Sequence, residues 1–283
     1  MSCGLVLEGG GVRGAYTAGV LDVLARENLH FSTVYAISAG ACNALSFLSG
    51  QIGRNREIFA QYLPDKRYVS AGNLLRCGSM FGFDFIFGPL FHELLPFDYE
   101  AFFQNPTDLQ AGATDLATGK AVFFSKKELG PGMEAVRASS AQPFLAHPIR
   151  YGGRRLLDGS VAQAIPLRRA EEDGSLRNLV VLTRDDSYRK PEKPEYPRAV
   201  IRARYWRYPD FAQALCRRGQ VYNQLRRECL DREAAERAIV IRPSRPITVS
   251  AFCRDPSQLM ELYAMGEQDT AARLAEIKEF VTL

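Results

Sequence analysis

The sequence predicts an α/β protein in which a mostly parallel central sheet lies between helices. Two short apolar runs, Cys3 to Glu8 and Thr33 to Ile37, have the composition of buried strands. A turn of small residues ends each run, and a helix-compatible stretch follows each turn, at 15–27 and at 42–48. This repeated order of strand, turn and helix is how a parallel sheet with crossover helices begins.

The first turn, from Gly9 to Gly14, has two interpretations. Its glycines fit the G-x-G-x-x-G spacing of a dinucleotide-binding turn between a strand and a helix. That fingerprint also expects an acidic residue at the end of the second strand, where it holds a ribose hydroxyl. This chain has Ser38 at that position. A Rossmann-type dinucleotide-binding protein therefore stays an alternative, while the serine favours acyl chemistry.

The second turn has the composition of a nucleophile elbow centred on Ser38. A serine on a strained strand-to-helix turn needs small neighbours, because the strand and the helix approach each other closely there. The usual pattern is G-x-S-x-G, and this chain departs from it by one methyl group. The predicted elbow is Ala36, Ile37, Ser38, Ala39 and Gly40.

Backbone amides of the glycine turn are predicted to lie beside Ser38, at the carboxyl edge of adjacent strands. Fixed N–H donors in that place stabilise the oxyanion that develops when a serine attacks an ester. Glycine suits the turn because a backbone without Cβ can approach closely and adopt positive φ. We interpret Glu8 as a brace for this turn. The predicted oxyanion turn comprises Gly9, Gly10, Gly11, Arg13 and Gly14. Arg13 is a second brace or, alternatively, a contact for a lipid phosphate.

Three motifs follow one another along the chain: GGGVRG at 9–14, AISAG at 36–40 and LLDGS at 156–160. Together they resemble the patatin-like phospholipase family, whose marks are G-G-G-x-R/K-G, G-x-S-x-G and D-G-G/A. The similarity runs from about Cys3 through Pro166, and more loosely to about Arg242. The resemblance implies a patatin-like three-layer sandwich, with a mostly parallel central sheet flanked by helices.

The D-G motif is preceded by a second element typical of the family, S-A-x-P, which Ser140, Ala141 and Pro143 match. The resemblance implies that Asp158 is the base of a Ser/Asp dyad with Ser38. In that mechanism the carboxylate accepts the serine proton, an acyl-enzyme forms, and water hydrolyses it.

The activity that the resemblance implies is a serine lipid acyl hydrolase of the phospholipase A, lysophospholipase or esterase type. Its substrate would be a lipid or another ester, and it implies no metal and no organic cofactor. A non-catalytic relative that binds lipids in the same pocket is the alternative.

A Ser-His-Asp triad is the rival catalytic arrangement. The chain has three histidines, His30, His92 and His147. His30 lies in a loop just before the second strand, which is a poor position for reaching the serine edge. His147 precedes a proline, and a lone histidine is more often a packed or hydrogen-bonded structural residue. We therefore predict the dyad.

The composition is that of an ordinary globular protein, with 46% hydrophobic and 24% charged residues among 283. A net charge of +4 is too small to indicate nucleic-acid binding. The amino terminus lacks the pattern of a secretory signal, and no apolar stretch reaches the length of about 20 residues that spans a bilayer. We expect a cytoplasmic protein with peripheral contact to a membrane surface. The six scattered cysteines are expected to be free thiols.

Two further stretches have unusual composition. Aromatic residues are dense from 81 to 103, which predicts either core packing or a lid and acyl-chain pocket beside Ser38. Residues 198–237 contain ten arginines against five acidic residues. This stretch is either a solvated helical face or a surface for anionic lipid headgroups.

The remaining elements complete the sheet and extend the chain. Pro243 and Pro246 mark a boundary, so we predict a hydrolase domain at 1–243 and a helical extension at 244–283. Strands are expected at 109–114, 120–124, 154–157, 178–183 and 238–242, helices at 51–68, 131–141, after Pro166 and within 255–283, and an irregular charged loop at 184–197.

Overall fold

The computed structural model describes residues 3–250 and 252–282. Eight strands form one sheet within these residues. Their bounds are β1 Cys3–Leu7, β2 Thr33–Ile37, β3 Asp108–Asp115, β4 Ala121–Phe124, β5 Ile149–Tyr151, β6 Arg154–Asp158, β7 Arg177–Val181 and β8 Ala238–Ile241.

The sheet is parallel through its centre and antiparallel at one side. Its hydrogen-bonded order is β5-β6-β3-β2-β1-β7-β8, and β4 also pairs with β3. The pairs among β3, β2, β1, β7 and β8 are parallel. Strands β4, β5 and β6 join the sheet through antiparallel pairs. The predicted mostly parallel sheet is confirmed.

The register of β3 brings β2 and β6 together. Ala111 of β3 pairs with Ala36 of β2 and, on its other side, with β4. Two residues further, Ala113 pairs with Asp158 of β6 and again, on its other side, with β4. Strands β2 and β6 therefore lie on the same edge of β3, one after the other. Because β2 is parallel and β6 antiparallel to β3, their carboxyl ends face each other.

Helices cover both faces of the sheet. Their bounds are α1 Gly14–Arg26, α2 Ala39–Leu48, α3 Arg54–Glu57, α4 Ala71–Cys77, α5 Phe83–Phe85, α6 Tyr99–Gln104, α7 Glu134–Ser140, α8 Ser160–Gln163, α9 Leu167–Glu172, α10 Arg198–Arg204, α11 Pro209–Ala234, α12 Pro256–Ala272 and α13 Leu274–Thr282. Short 3-10 turns span Gly11–Arg13 and Lys126–Glu128, and π-helical turns span Ile58–Tyr62 and Ile86–Leu94.

Alternate residues of the strands face the two helical layers. In β1, Leu5 and Leu7 belong to the larger buried cluster, which includes side chains of α1, α2 and α12. Val6 belongs to the other cluster, with side chains of α9 and α11. The same alternation recurs in β7 and β8. Since successive strand residues point to opposite faces, the two clusters lie on opposite sides of the sheet. This is the predicted three-layer sandwich.

The C-terminal helix α12 packs directly on α1. A Cβ at Gly19 would lie 2.0 Å from the carbonyl oxygen of Tyr263, and one at Gly266 would lie 2.1 Å from that of Tyr16. The two helix backbones therefore touch. The Tyr263 hydroxyl also donates to Asp22 Oδ2 at 2.6 Å, which ties the helices together with a buried polar contact.

Two sequence predictions need correction, and one strand was not predicted at all. The strand β5 was missed, because it is three residues long and pairs with β6 across two glycines of positive φ. The helix predicted from Pro131 begins at Glu134 instead, since Met133 has a φ of 56°. Between 51 and 68, helix is confined to Arg54–Tyr62. No helix within 3–250 and 252–282 is long and apolar enough to cross a membrane.

Candidate active site

Ser38 lies on a sharp turn between β2 and α2. Its φ of 54° and ψ of −122° are unfavourable for a residue with a side chain, and such strain costs about 1–3 kcal/mol. The turn is tight because α2 begins against β1. A Cβ at Gly40 would lie 2.9 Å from the carbonyl oxygen of Leu7. Glycine at position 40 is therefore a steric requirement of this elbow.

Asp158 stands directly opposite Ser38. The Ser38 hydroxyl donates to Asp158 Oδ2 at 3.0 Å, and both side chains are buried. The meeting of the carboxyl ends of β2 and β6 produces this contact. The second carboxylate oxygen, Oδ1, accepts the backbone N–H of Ser160 at 2.8 Å, which fixes the orientation of the carboxylate.

Ser139 supports the elbow from behind, and sequence reasoning missed it. The backbone N–H of Ser38 donates to Ser139 Oγ at 2.7 Å. The Ser139 hydroxyl donates in turn to the carbonyl of Gly112 at 2.6 Å. Its position just before the S-A-x-P element was the one available signal. Ser139 holds the strained residue by its backbone and leaves the Ser38 hydroxyl free for Asp158.

The glycine turn follows β1 beside Ser38, and its amide groups divide into two sets. The Gly9 N–H donates to the carbonyl of Ala164 at 3.2 Å, and the Arg13 N–H to that of Gly10 at 3.3 Å. The Gly14 N–H bonds within the turn to Gly11. Across the residues that the structure describes, the N–H groups of Gly10 and Gly11 have no protein acceptor. Of the five predicted oxyanion residues, these two keep available donors.

Glu8 ties the end of β1 to the end of β7. Its carboxylate accepts the backbone N–H of Thr183 at 2.6 Å. Burial raises the pKa of Glu8, and the Thr183 bond and the nearby Arg13 partly offset that rise. Arg13 makes no ion pair with Glu8 among the described residues, and its Nε is buried without an acceptor. Glu8 therefore braces the turn, while Arg13 lines the cleft beside it.

An apolar cavity of about 70 Å³ opens on one side of Ser38. The dense aromatic segment forms much of its wall, so its side chains serve both the core and this cavity. Burial raises the pKa of the Cys42 thiol, which also lines it, to about 11, so that group stays protonated. The apolar wall includes Val12, Leu45, Ile58, Phe83, Phe87 and Phe91.

A polar cleft of about 730 Å³ opens on the other side of Ser38. It also exposes Gly10, Gly11 and Asp158, and the charged loop at 184–197 forms part of its wall. Ser38, Gly11 and Gln142 line both spaces. The candidate site therefore joins an apolar space to a polar one at the serine.

The histidines lie elsewhere. His92 stacks on Tyr99 with 5.9 Å between ring centroids, and His147 packs against Gly78. In the described ranges, 3–250 and 252–282, no histidine is hydrogen-bonded to Ser38 or Asp158. The geometry thus brings together a serine and a carboxylate without an imidazole between them.

Comparison with known families gives two matches. The family described as patatin-like phospholipase matches residues 5–171, which is more than half of the chain. A domain of unknown function, DUF6363, matches residues 208–282. The first match covers all three motifs, and it favours the acyl-hydrolase interpretation of Gly9–Gly14 over the dinucleotide-binding one.

Individual relatives are distant. The uncharacterized protein YjjU of Escherichia coli is 27% identical over 193 residues, which are 63% of this chain and 51% of that protein. An uncharacterized NTE family protein of Mycobacterium tuberculosis is 30% identical over 173 residues, or 58% of this chain and 44% of that protein. The chain thus spans about half the length of these relatives.

Two further proteins are more remote. Lysophospholipase NTE1 of Cryptococcus neoformans is 26% identical over 183 residues, covering 63% of this chain and 11% of that protein. The crystal structure of VipD from Legionella pneumophila aligns with 97% of this chain and 67% of its own, with a TM-score of 0.48 and 14% identity. On the match over residues 5–171, the chain belongs to the patatin-like phospholipase family.

Proposed function

We propose that this protein is a serine hydrolase that cleaves the acyl ester of phospholipids or lysophospholipids. Family membership supports lipid hydrolysis in general terms. The observation that carries the specific proposal is the 3.0 Å contact between Ser38 Oγ and Asp158 Oδ2 at a strained elbow. Because this contact lies where an apolar cavity meets a polar cleft, an amphipathic ester has a place for each of its ends.

The proposed reaction begins with proton transfer from Ser38 Oγ to Asp158 Oδ2 as the serine attacks the ester carbonyl. The N–H groups of Gly10 and Gly11 receive the oxyanion, and loss of one such donor typically costs about 3 kcal/mol of barrier. The amino-terminal end of α2, which begins at Ala39, adds a favourable dipole at the same place. Proton return to the leaving alcohol then yields an acyl-enzyme on Ser38.

Asp158 is also the base for the second half of the reaction. It deprotonates a water molecule, which attacks the acyl-enzyme, and it returns that proton to Ser38 Oγ as the fatty acid is released. The bond from the Ser160 N–H to Oδ1 keeps the carboxylate in place through both halves. The acyl chain extends into the apolar cavity, and the alcohol or headgroup leaves through the polar cleft.

Labelling with a fluorophosphonate probe tests the site directly, because the probe reacts covalently only with an activated serine. We expect wild-type protein to label, Ser38→Ala not to label, and Asp158→Asn to label far more slowly. Ser49→Ala is the matched control, since Ser49 is a buried serine at the end of α2. Full labelling of Ser38→Ala would falsify the site. A folded wild type that never labels would instead favour the lipid-binding relative.

We also propose that α10 and the residues after it contact anionic membranes. Ile201 and Tyr205 anchor this segment, while Trp206 is 70% exposed. Among the described residues, the exposed arginines of this segment form no ion pair, and Arg207 lies over the Trp206 ring at 4.8 Å. An exposed tryptophan among free arginines suits a negatively charged lipid interface. The arginines concerned are Arg198, Arg202, Arg204 and Arg207.

Sedimentation with vesicles checks this contact. Wild-type protein should bind vesicles containing phosphatidylglycerol more tightly than pure phosphatidylcholine vesicles, and Trp206→Ala should weaken that binding. Phe103→Ala is the control, because Phe103 is an exposed aromatic residue outside this segment. Equal loss of binding in both variants would count against a specific role for α10.

A further inference from the structure

The polar cleft beside Ser38 has an excess of basic side chains. Five of them line it: Arg13, Arg184, Lys190, Lys193 and Arg218. Three acidic side chains line it too, and two of them accept hydrogen bonds from neighbouring residues. The Glu8 carboxylate accepts a hydrogen bond from the Thr183 N–H, and the Asp158 carboxylate accepts one from the Ser38 hydroxyl and one from the Ser160 N–H. The remaining one, Glu195, is largely exposed and lies 3.6 Å from Arg218. The five basic side chains therefore outnumber the three acidic ones, which leaves an excess of positive charge in the cleft.

Arg218 is held in the cleft wall by Ser160, the residue that follows the D-G motif. One of its terminal nitrogens donates to Ser160 Oγ at 2.7 Å. Its Nε is buried without any acceptor in the described part of the chain. A buried donor without a partner costs free energy, which a ligand oxygen would recover. Ser160 departs from the Gly or Ala that the family resemblance led us to expect, and here it positions a cation.

Lys190 is the second fixed cation. Asn223 of α11 holds its backbone, accepting its N–H at 2.8 Å and donating to its carbonyl at 2.9 Å. Its ammonium lies 5.5 Å from the Tyr222 ring and has no carboxylate partner within the residues described. Burial, reinforced by Arg218, lowers the pKa of Lys190 to about 7. A lysine with a pKa near 7 is only partly protonated at neutral pH, and a bound anion favours its protonated, charged form.

We propose that this cleft is a subsite for the phosphate of the substrate headgroup, and that Arg218 and Lys190 make it select net anionic headgroups. The inference rests on the proposed hydrolase function and names its substrate class. A phosphate monoester brings negative charge to Lys190, which has no carboxylate partner among the described residues, and to Arg218, whose partner Glu195 is largely exposed. A choline group would instead bring a further cation into a basic cleft. Lipids with a phosphate monoester headgroup are therefore preferred over zwitterionic ones.

The test compares substrates that share one short acyl chain and differ only in the headgroup. They are a lysophosphatidate, a lysophosphatidylcholine and a monoacylglycerol, each kept monomeric so that attraction to a charged surface plays no part. We expect the lysophosphatidate to have the highest kcat/KM. In Lys190→Gln and Arg218→Gln, its kcat/KM relative to the monoacylglycerol should fall about tenfold, since each variant removes a charge-assisted hydrogen bond.

Arg189→Gln is the matched control, because it removes one charge from the same loop at an exposed residue outside the cleft. It should leave the headgroup ratio as in wild type. Equal kcat/KM for all three headgroups in wild type would overturn the subsite. An equal fall of the headgroup ratio in Lys190→Gln, Arg218→Gln and Arg189→Gln would overturn it as well. If wild type hydrolysed none of these esters, the proposed function would fail instead.

A binding measurement keeps the subsite testable in that case and identifies the source of the phosphate. Ser38→Ala protein is titrated by calorimetry with sn-glycerol 3-phosphate and, separately, with inorganic phosphate. Tighter binding of glycerol phosphate, weakened about tenfold by Lys190→Gln, supports a headgroup subsite. Equal binding of both probes, or no binding of either, overturns the assignment to a lipid headgroup.

Discussion

Two regions of the molecule use glycine to bring backbones into contact, and they differ in what surrounds the contact. At the site edge, a Cβ at Gly159 would lie 2.3 Å from the carbonyl oxygen of Gly112. At the α1–α12 crossing, a Cβ at Gly266 would lie 2.1 Å from the carbonyl oxygen of Tyr16. The steric requirement is the same in both regions.

The polar groups around the two contacts differ in their hydrogen bonding. At the crossing two tyrosine hydroxyls are paired with carboxylates, since Tyr263 donates to Asp22 and Tyr16 donates to Asp269. At the site edge, the amides of Gly10 and Gly11 keep no acceptor among the described residues, and Ser38 is strained. A close backbone contact is therefore no sign of function by itself. Unsatisfied donors and strain beside the contact are the better sign.

Gly159→Ala should give the largest effect, because the added methyl collides with the Gly112 carbonyl of β3, the strand that pairs with both β2 and β6. The φ of Gly159 is an ordinary −61°, so space rather than conformation is the constraint. We expect kcat/KM for ester hydrolysis to fall about 100-fold, as small displacements of reacting groups can do. A folded variant with wild-type kinetics would show that the spacing of Ser38 and Asp158 tolerates this shift.

Gly266→Ala adds the same methyl at the crossing, so the comparison predicts a loss of stability with little change in activity. Overpacking of this kind typically lowers the free energy of unfolding by about 1–3 kcal/mol. Urea denaturation measures the loss, and kcat per folded molecule measures activity. Gly72→Ala in α4 is the control, because a Cβ there meets no atom closer than 3.4 Å. That variant should be neutral or slightly stabilised. A fall in kcat for Gly266→Ala would mean that the two regions are coupled.

The sequence predicted the first region far better than the second. Gly9, Ser38 and Asp158 lie in short motifs, and chemistry restricts which residues such motifs can contain. Gly19 and Gly266 are 247 positions apart and match no local pattern, so only the packed helices reveal their contact. The strands β1, β2, β7 and β8 were predictable because buried parallel strands are continuous apolar runs.

Other features of the site depend on register and loop packing, which the sequence does not encode locally. Asp158 meets Ser38 because β6 is antiparallel to β3 on the edge that β2 occupies. Ser139 and Lys190 carry no motif, and each acquires its place through a distant partner, Gly112 or Asn223. The loop at 184–197 was predicted to be irregular, and its part in the cleft wall could not be predicted from its composition.

Tyr263→Phe should have a smaller, pH-dependent effect at the crossing. Burial raises the pKa of Asp22, and the Tyr263 hydroxyl opposes that rise. Because the folded state favours protonated Asp22, the stability that this group contributes is greatest below its unfolded pKa of about 3.9. That stability is lost as pH rises through the folded pKa. Without the hydroxyl, the folded pKa rises further, so the variant should lose about 1–2 kcal/mol at pH 7 and less at pH 4.

The matched control for this prediction is Tyr62→Phe, which removes a hydroxyl bonded to a carbonyl, Leu94 O, at an exposed contact. Its cost should be small and independent of pH, because no titrating group is the acceptor. Unfolding free energies measured at the two pH values separate the cases. A pH-independent loss in Tyr263→Phe would mean that Asp22 is not ionised in the folded protein at pH 7.

The smallest expected effect is at Ser38 itself and concerns strain rather than chemistry. Ser38→Gly and Ser38→Ala both remove the hydroxyl and leave Asp158 without that donor, so they differ only in the β-methyl group and in the backbone conformations that it disfavours. Glycine accepts a φ of 54° without penalty, so Ser38→Gly should be more stable than Ser38→Ala by about 1 kcal/mol. The same pair at Ser49, whose φ is −84°, should show the reverse order. If glycine also proved less stable than alanine at position 38, the elbow would hold no strain, and the distinction drawn between the two regions would rest on the free amides alone.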